Sequence, residues 1–245
     1  MIAAVLRRFA FTALLALMAG SAAAWGTLIG SGKVQTESRA ISGFTGIALS
    51  LPGKVELTLG DRESVSISAD DNLLAQIETV VERGTLKIRF RDATNVSRFK
   101  QIRIAITAKS IDSLAVKGSG DILAPALRVG ELKVAISGSG DIKLTALSAT
   151  ALSVSIGGSG DFSADGKADS LTANIAGSGE IKAGKLAAAR VKVSVAGSGD
   201  ATVWARDDLS VNVAGSGDVR YYGDPTVQRS IVGSGSVKRL GATPA

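Results

Sequence analysis

Apolar residues alternate with polar residues in short runs along most of the chain. They occupy every second position from Leu132 to Ile136, again from Leu152 to Ile156, and again from Val191 to Val195. A period of two places successive side chains on opposite faces of a β-strand. The pattern therefore predicts a series of half-buried strands.

The triplet Gly-Ser-Gly follows these runs and divides the chain into repeats. It begins at Gly118, Gly138, Gly158, Gly177, Gly197, Gly215 and Gly233, with spacings of 20, 20, 19, 20, 18 and 18 residues. Such a period indicates a stacked array, because a unit of about 20 residues cannot bury both strand faces alone. We predict an all-β, single-domain parallel β-helix, or β-solenoid, with about 18–20 residues per repeat and a less regular N-terminal part. An antiparallel sandwich with regularly spaced turns is the structural alternative.

The repeated glycines are predicted to be structural turn residues. Glycine is needed where φ is positive or where a corner leaves no room for a Cβ. An active site is seldom copied seven times, so the structural interpretation is favoured over a ligand site. The predicted turn residues are Gly118, Gly120, Gly138, Gly140, Gly158, Gly160, Gly177, Gly179, Gly197, Gly199, Gly215 and Gly217.

An aspartate follows five of the seven triplets, at Asp121, Asp141, Asp161, Asp200 and Asp218. Stacking would align these side chains about 4.8 Å apart, and they are candidate ligand or cation contacts. Retaining glycosidases also use carboxylates about 5 Å apart, so a hydrolase or lyase is an alternative. An exposed row, however, lacks the desolvated pocket that raises the pKa of one member. The calcium-binding Gly-Gly-x-Gly-x-Asp repeat, with its nine-residue step, is not matched, and we expect no metal or cofactor.

Composition narrows the chemistry further. The chain contains no His and no Cys, which removes Ser-His-Asp catalysis, histidine acid–base work and disulfides. The net charge is +6, and eight basic residues accompany one acid between Arg83 and Lys109. Within that segment Lys87, Arg89 and Arg91 alternate with apolar residues, which indicates either a solvated strand face or a contact for an anionic surface. We predict no nucleic-acid partner.

The N-terminus has the pattern of a secretory signal peptide. Arg7 and Arg8 precede an apolar run from Phe9 to Ala19, and small residues follow from Ser21 to Ala24. No later segment is long and apolar enough to span a bilayer. The predicted divisions are a signal peptide (1–24), an N-terminal extension (25–37), the β-helix domain (38–240) and a C-terminal tail (241–245). We expect the mature protein to be exported.

The two ends of the predicted array differ from its middle. The segment DNLLAQIETVV is predicted to open with a helical turn capped by Asp71, within a cap over the first edge of the array. Residues Tyr221 to Leu240 are expected to close the other end. A group of aromatic and basic residues is interpreted either as a cover for that end or as a sugar-stacking or partner surface: Trp204, Tyr221 and Tyr222, with Arg206 and Arg220.

Together these motifs resemble the family of the putative autotransporter adhesin head GIN domain, formerly a domain of unknown function. The matching stretches are ISGFTGIAL from Ile41, DNLLAQIETVVERGTLKI from Asp71, and the Gly-Ser-Gly-Asp turns, so the resemblance covers about Ser38 to Val237. Glu180 and Ser236 depart from the pattern, because they replace the Asp of the turn. The resemblance implies a β-helical bacterial envelope or secreted protein with a role in adhesion and no established catalytic residues.

The predicted function is a noncatalytic, exported binding or adhesion module of the cell envelope. Its partner would be an envelope polysaccharide, lipid or protein surface. The alternatives are a carbohydrate-active hydrolase or lyase that uses stacked aspartates, and a purely structural envelope protein. A hydrolase requires one acid of raised pKa among unlike neighbours, whereas a structural protein has no saturable ligand.

Overall fold

The computed structural model describes residues 27–91 and 95–244, so the predicted signal peptide lies outside the described residues. The elements in chain order are β1 (Leu28–Ile29), β2 (Val34–Arg39), β3 (Gly46–Ser50), β4 (Gly53–Leu59), β5 (Ser64–Asp70), α1 (Asp71–Leu74), β6 (Ile77–Glu82), β7 (Thr85–Phe90), β8 (Val96–Ser97), β9 (Ile102–Ala108), β10 (Ser113–Val116), β11 (Asp121–Ala124), β12 (Leu127–Ile136), β13 (Ile142–Ile156), β14 (Phe162–Gly177), β15 (Glu180–Gly197), β16 (Asp200–Gly215), β17 (Val219–Tyr222), β18 (Thr226–Gly233) and β19 (Val237–Gly241). Within these ranges, no helix reaches the length and hydropathy of a membrane span.

The strands stack in parallel, which confirms the predicted β-solenoid, here of about 6 turns. In the pairing of β13 with β14, Ile142 lies beside Phe162 and Leu152 lies beside Leu171. These offsets equal the spacing of the Gly-Ser-Gly triplets, so one repeat in the sequence is one coil of the solenoid. The antiparallel sandwich is therefore excluded for the repeat region.

Each coil has three faces, which we name by their position relative to the Gly-Ser-Gly turn. Between the second and third triplets, residues 142–144 form the post-turn face, residues 147–149 the return face, and residues 152–156 the pre-turn face. Along each face, alternate side chains are buried and the others point outward. The period of two in the sequence is thus the inward and outward alternation around one coil.

The core is a set of aliphatic columns that run through the coils. One column on the pre-turn face contains Leu132, Leu152, Leu171, Val191 and Leu209, none of which is more than 3% exposed. A single coil leaves these side chains uncovered on two sides, and the coils above and below remove them from water. Burial between neighbouring coils therefore holds the array together without disulfides.

The N-terminal part builds coils in an order that differs from the sequence. The β3–β4 coil lies in the interior of the array, because β3 pairs with β10 and with β7, and β4 pairs with β11 and with β9. The later segment β7–β9 therefore forms the outer coil. Antiparallel strands β6, β5 and β2 extend this end, in place of irregular coils alone. Part of the predicted N-terminal extension thus enters the sheet as β2.

The predicted helical turn exists, but its cap was assigned one residue too late. The single-turn helix α1 spans Asp71–Leu74, and its N-cap position is Asp70, which makes no side-chain capping hydrogen bond. Asp71 lies inside the turn and accepts a hydrogen bond from the Ser31 hydroxyl. Leu73 and Leu74 are buried and cover the end of the core.

The C-terminal segment does not close the array as expected. Strands β17, β18 and β19 form one further coil on β16 and β17, and no described strand pairs with the outer edges of β18 and β19. Arg229 and Arg239 take the inward-facing places that Val211 and Tyr221 hold one coil earlier. Charged side chains at inward positions are a device that prevents edge strands from pairing with other chains.

Candidate functional site

The glycines of the Gly-Ser-Gly turns stack backbone on backbone and leave no space for a Cβ, except at Gly118, where a Cβ would meet nothing within 4 Å but φ is +134°. From the second triplet onward, a Cβ on the first glycine would lie 2.2–2.6 Å from the carbonyl oxygen of the first glycine one coil below. A Cβ on the second glycine would meet a backbone carbonyl oxygen at 2.0–2.5 Å from Gly120 through Gly217. The backbone N–H groups of Ser139 and Gly140 both donate to the Gly118 carbonyl, at 2.8 and 3.0 Å. This geometry assigns the glycines to coil stacking.

The turn aspartates join one coil to the next. The backbone N–H of Asp161 donates to Oδ1 of Asp141 at 2.9 Å. Equivalent bonds run from Asp141 to Asp121 (3.1 Å), from Glu180 to Asp161 (3.1 Å), from Asp218 to Asp200 (2.8 Å) and from Ser236 to Asp218 (3.0 Å). Each carboxylate therefore satisfies a backbone donor that the turn would otherwise leave open.

Basic side chains neutralise much of the aspartate row. Lys182 lies 2.7 Å from Asp161 and 3.2 Å from Glu180, and the hydrogen bond that Lys182 donates to Asp161 raises the pKa of the lysine. Arg220 lies 3.7 Å from Asp200 and 3.5 Å from Asp218. These cations point outward from the post-turn face, two residues after an acid in the same coil. Charge repulsion along the row is thus relieved from within the chain.

The aspartate row lacks the asymmetry that acid–base catalysis requires. Its members make similar contacts, and the hydrogen bond from Ser236 lowers the pKa of Asp218 below its ordinary value. A general acid needs the opposite shift. Among the described residues, no three acidic side chains are grouped closely enough to hold a metal ion.

The predicted basic contact lies on the β6–β7 hairpin beside acidic residues. Lys87 pairs with Glu82, whose pKa it lowers, and Nε of Arg89 lies 2.7 Å from Glu78. Arg91 follows the end of β7 and is exposed. The hairpin therefore presents alternating charges of both signs, which weakens its attraction for an anionic surface.

A step interrupts the regular surface where the coils become shorter. The triplet spacing falls from 20 residues at the Gly177–Gly197 interval to 18 at the Gly197–Gly215 interval. In the β15–β16 pairing, Ala183 lies beside Val203 and Ala187 beside Trp204, so residues 184–186 have no counterpart. The longer coil protrudes at this corner between the post-turn and return faces, and the shorter coils recede.

The recess beside this step, which we call the step cleft, has a volume of about 600 Å³. Its lining combines one aromatic ring with hydroxyl, acidic and basic groups: Lys143, Leu144, Ser163, Asp165, Glu180, Lys182, Gly184, Lys185, Thr202, Tyr222 and Pro244. Of these, only Tyr222 had been noted from the sequence as a candidate contact. The drop in repeat length was the signal that could have located the rest.

A second recess runs along the pre-turn face and has a volume of about 680 Å³. Its lining contains only small or aliphatic uncharged residues, with Asn174 and Asn212 among serines and alanines. Val232, which is 70% exposed, lies at one end. This recess offers a long uncharged surface but no aromatic or charged group to orient a ligand.

The model of one protein family, described as "Putative auto-transporter adhesin, head GIN domain", matches residues 43–225. Among curated proteins, no relative matches the chain.

Solved structures of similar shape carry related descriptions. A putative adhesin from Bacteroides fragilis NCTC 9343 is 29% identical, with a TM-score of 0.81 over 87% of this chain and 100% of that chain. A putative lipid binding protein from Parabacteroides distasonis ATCC 8503 is 28% identical, with a TM-score of 0.75 over 88% of this chain and 100% of that one. A putative adhesin from the same strain is 26% identical, with a TM-score of 0.66 over 88% and 100% of the two chains.

Proposed function

Because this chain belongs to the family of the putative auto-transporter adhesin head GIN domain, we propose that it is an exported, noncatalytic binding module of the bacterial cell envelope. The observation that carries this proposal is that the acidic side chains after the Gly-Ser-Gly triplets are engaged in contacts within the protein itself. Their carboxylates accept backbone hydrogen bonds from the next coil and pair with Lys182 and Arg220. They therefore serve the scaffold, and the outward faces of the coils are left for binding.

The names of the neighbouring structures support a role at surfaces. Two of the proteins compared are called "putative adhesin" and one is called "Putative lipid binding protein". We propose that this chain likewise contacts an envelope polysaccharide, lipid or protein surface. Binding without turnover is favoured over hydrolysis, because the aspartates of the row accept backbone hydrogen bonds from the next coil and are engaged in holding the scaffold together.

Export rests on the leader pattern of residues 1–24. A basic pair, an apolar run and a small-residue cleavage site direct secretion and are then removed. We expect the mature protein to begin at Trp25 and to reside in the periplasm or on the cell surface. N-terminal sequencing of the protein recovered from a periplasmic fraction would give Trp25 first. An intact Met1 in a cytoplasmic fraction would contradict export.

Cosedimentation with envelope fractions tests the binding role. The purified protein, residues 25–245, would be mixed with sacculi, with outer-membrane vesicles and with phospholipid vesicles, and the bound fraction measured against concentration. Saturable binding to at least one fraction is expected. A bound fraction that never exceeds that of an unrelated β-solenoid would refute the proposal and favour a purely structural role.

A further inference from the structure

We infer that the step cleft binds a neutral pyranose unit of a glycan, with the ring of Tyr222 as the stacking surface. This inference rests on the proposed binding function and names its ligand class and its site. The cleft lies where the repeat shortens by two residues, from 20 to 18, and this change occurs once among the intervals between triplets. A site that recognises one sugar in a fixed orientation needs such a position, since the regular faces offer the same contacts at every coil.

The aromatic ring is held in place by the backbone around it. Tyr222 lies beside Trp204 in the strand pairing, and its ring extends across the coil of Thr202 to Gly184. A Cβ at Gly184 would lie 3.3 Å from Cε2 of Tyr222 and 3.0 Å from Cγ2 of Thr202. Glycine at this position therefore permits close contact between ring and backbone. Tyr222 is half-buried, so part of its side chain remains exposed to solvent beside this contact.

Polar groups surround the ring at positions suited to sugar hydroxyls. Asp165 and Lys185 are opposite each other on neighbouring strands and are both exposed. One supplies carboxylate acceptors and the other supplies ammonium donors, and a sugar hydroxyl can use both. Ser163 and Thr202, which each carry a hydroxyl group, also line the cleft. An aromatic surface with a few convergent polar groups is the usual composition of a small-molecule site.

The balance of charge favours a neutral sugar over an acidic one. Three lysines line the cleft, but Lys182 is already paired with Asp161 and Glu180. Lys185 has Asp165 beside it. The lining thus has three lysines and two acids, and Asp161 beside Lys182 supplies a third negative charge, so an anionic sugar would meet no net positive charge, whereas a neutral sugar can use groups of both signs as hydrogen-bond partners.

Tryptophan fluorescence gives a direct readout, because Trp204 adjoins Tyr222. The chain has two tryptophans, so a Trp25→Phe background leaves Trp204 as the reporter. The mature protein would be titrated with maltohexaose, cellohexaose and chitohexaose, and with hexagalacturonic acid as the anionic comparison. We expect a saturable change with at least one neutral oligosaccharide and a weaker response to the uronic acid.

Matched variants locate the binding. Tyr222→Ala is expected to weaken binding at least about tenfold, while Tyr222→Phe, which keeps the ring, should stay within about threefold. Asp165→Asn should weaken binding, whereas Asp141→Asn, the same change outside the cleft, should not. Gly184→Ala provides a second test with the ring retained, because its new Cβ would lie 3.0 Å from Cγ2 of Thr202 and 3.3 Å from the ring of Tyr222, and both neighbours must shift by a few tenths of an ångström. Unchanged thermal midpoints would establish that each variant is folded.

Other outcomes would overturn the inference and separate it from the proposed function. Glycan binding unchanged by Tyr222→Ala, Gly184→Ala and Asp165→Asn would place the sugar elsewhere and leave the binding role intact. A response to hexagalacturonic acid alone, weakened by salt, would show an anionic site. If no glycan changed the fluorescence but the protein still bound envelope fractions, the glycan assignment would be refuted and the binding role would stand. If the protein bound neither glycans nor envelope fractions, the proposed binding function would be refuted as well.

Discussion

Replacement of Gly140 with alanine tests whether close backbone stacking holds the turns. The new Cβ would lie 2.0 Å from the Gly120 carbonyl oxygen and 2.8 Å from Cγ1 of Val116. Because real Cβ contacts essentially never fall below 3.0 Å, the two coils must separate by about 1 Å at this point. Gly140 does not have a positive φ, so the expected effect comes from space and not from backbone strain.

The magnitude follows from the bonds beside the turn. Ser139 and Gly140 donate to the Gly118 carbonyl at 2.8 and 3.0 Å, and a separation of about 1 Å would break both bonds. The net contribution of two such hydrogen bonds to the free energy of unfolding is about 2 kcal/mol. Forcing an extra methyl group into a packed region costs a further 1–3 kcal/mol or so. The free energy of unfolding should therefore fall by roughly 3–5 kcal/mol.

Urea unfolding followed by circular dichroism measures this loss as a lower midpoint at constant slope. Gly130→Ala is the matched control, because Gly130 has no positive φ and a Cβ there would meet nothing within 4 Å. The control should change the free energy of unfolding by no more than about 1 kcal/mol. Equal midpoints for Gly140→Ala and Gly130→Ala would refute the stacking account.

Three further predictions follow from contacts elsewhere in the solenoid. Asp141→Ala should lower the free energy of unfolding by about 1 kcal/mol in urea titrations, because it removes the acceptor for the Asp161 N–H. Asp141→Asn keeps an oxygen acceptor and should leave the free energy of unfolding nearly unchanged. Equal losses of stability in the two variants would contradict a hydrogen-bonding role for Asp141. The hydrogen bond from Ser236 lowers the pKa of Asp218, so its stabilisation is complete above the unfolded-state pKa and is lost as the pH falls through the folded-state pKa. Asp218→Asn should therefore flatten the acid limb of a plot of unfolding midpoint against pH, and an unchanged limb would count against the bond. Arg229→Val should cause concentration-dependent association in light scattering, because it makes the open C-terminal edge apolar; a monomer at all concentrations would show that the arginine does not protect the edge.

The repeat region could be predicted because its sequence and structure share one period. The spacing of the triplets equals the number of residues in one coil, and the alternation of apolar and polar residues around Leu152 or Val193 identifies which side chains are buried. The position of the β3–β4 coil could not be predicted in this way. Its neighbours on one side come from residues 85–108, which lie later in the chain and carry no copy of the turn. Pairing between strands so distant in sequence leaves no local signal.

The candidate site was predicted only in part, since the same residue type can serve different roles. The aspartates form a row, as their spacing predicted, but the sequence does not reveal that their oxygens accept backbone N–H groups. The basic run from Lys87 to Arg91 was visible, whereas its pairing with Glu78 and Glu82 depends on the antiparallel hairpin. Tyr222 and the change of spacing near Gly197 were both visible, yet only the folded chain places the ring beside Gly184.

The most direct test of the noncatalytic binding role measures binding and turnover in the same wells. The mature protein would be titrated on an array of bacterial envelope polysaccharides and lipids, while released sugars and fatty acids are quantified. Saturable binding with no product above the protein-free wells is the predicted result. Product formation that a single Asp→Asn change in the row abolishes, at Asp141 for example, would contradict the account and make the repeated turn an active site.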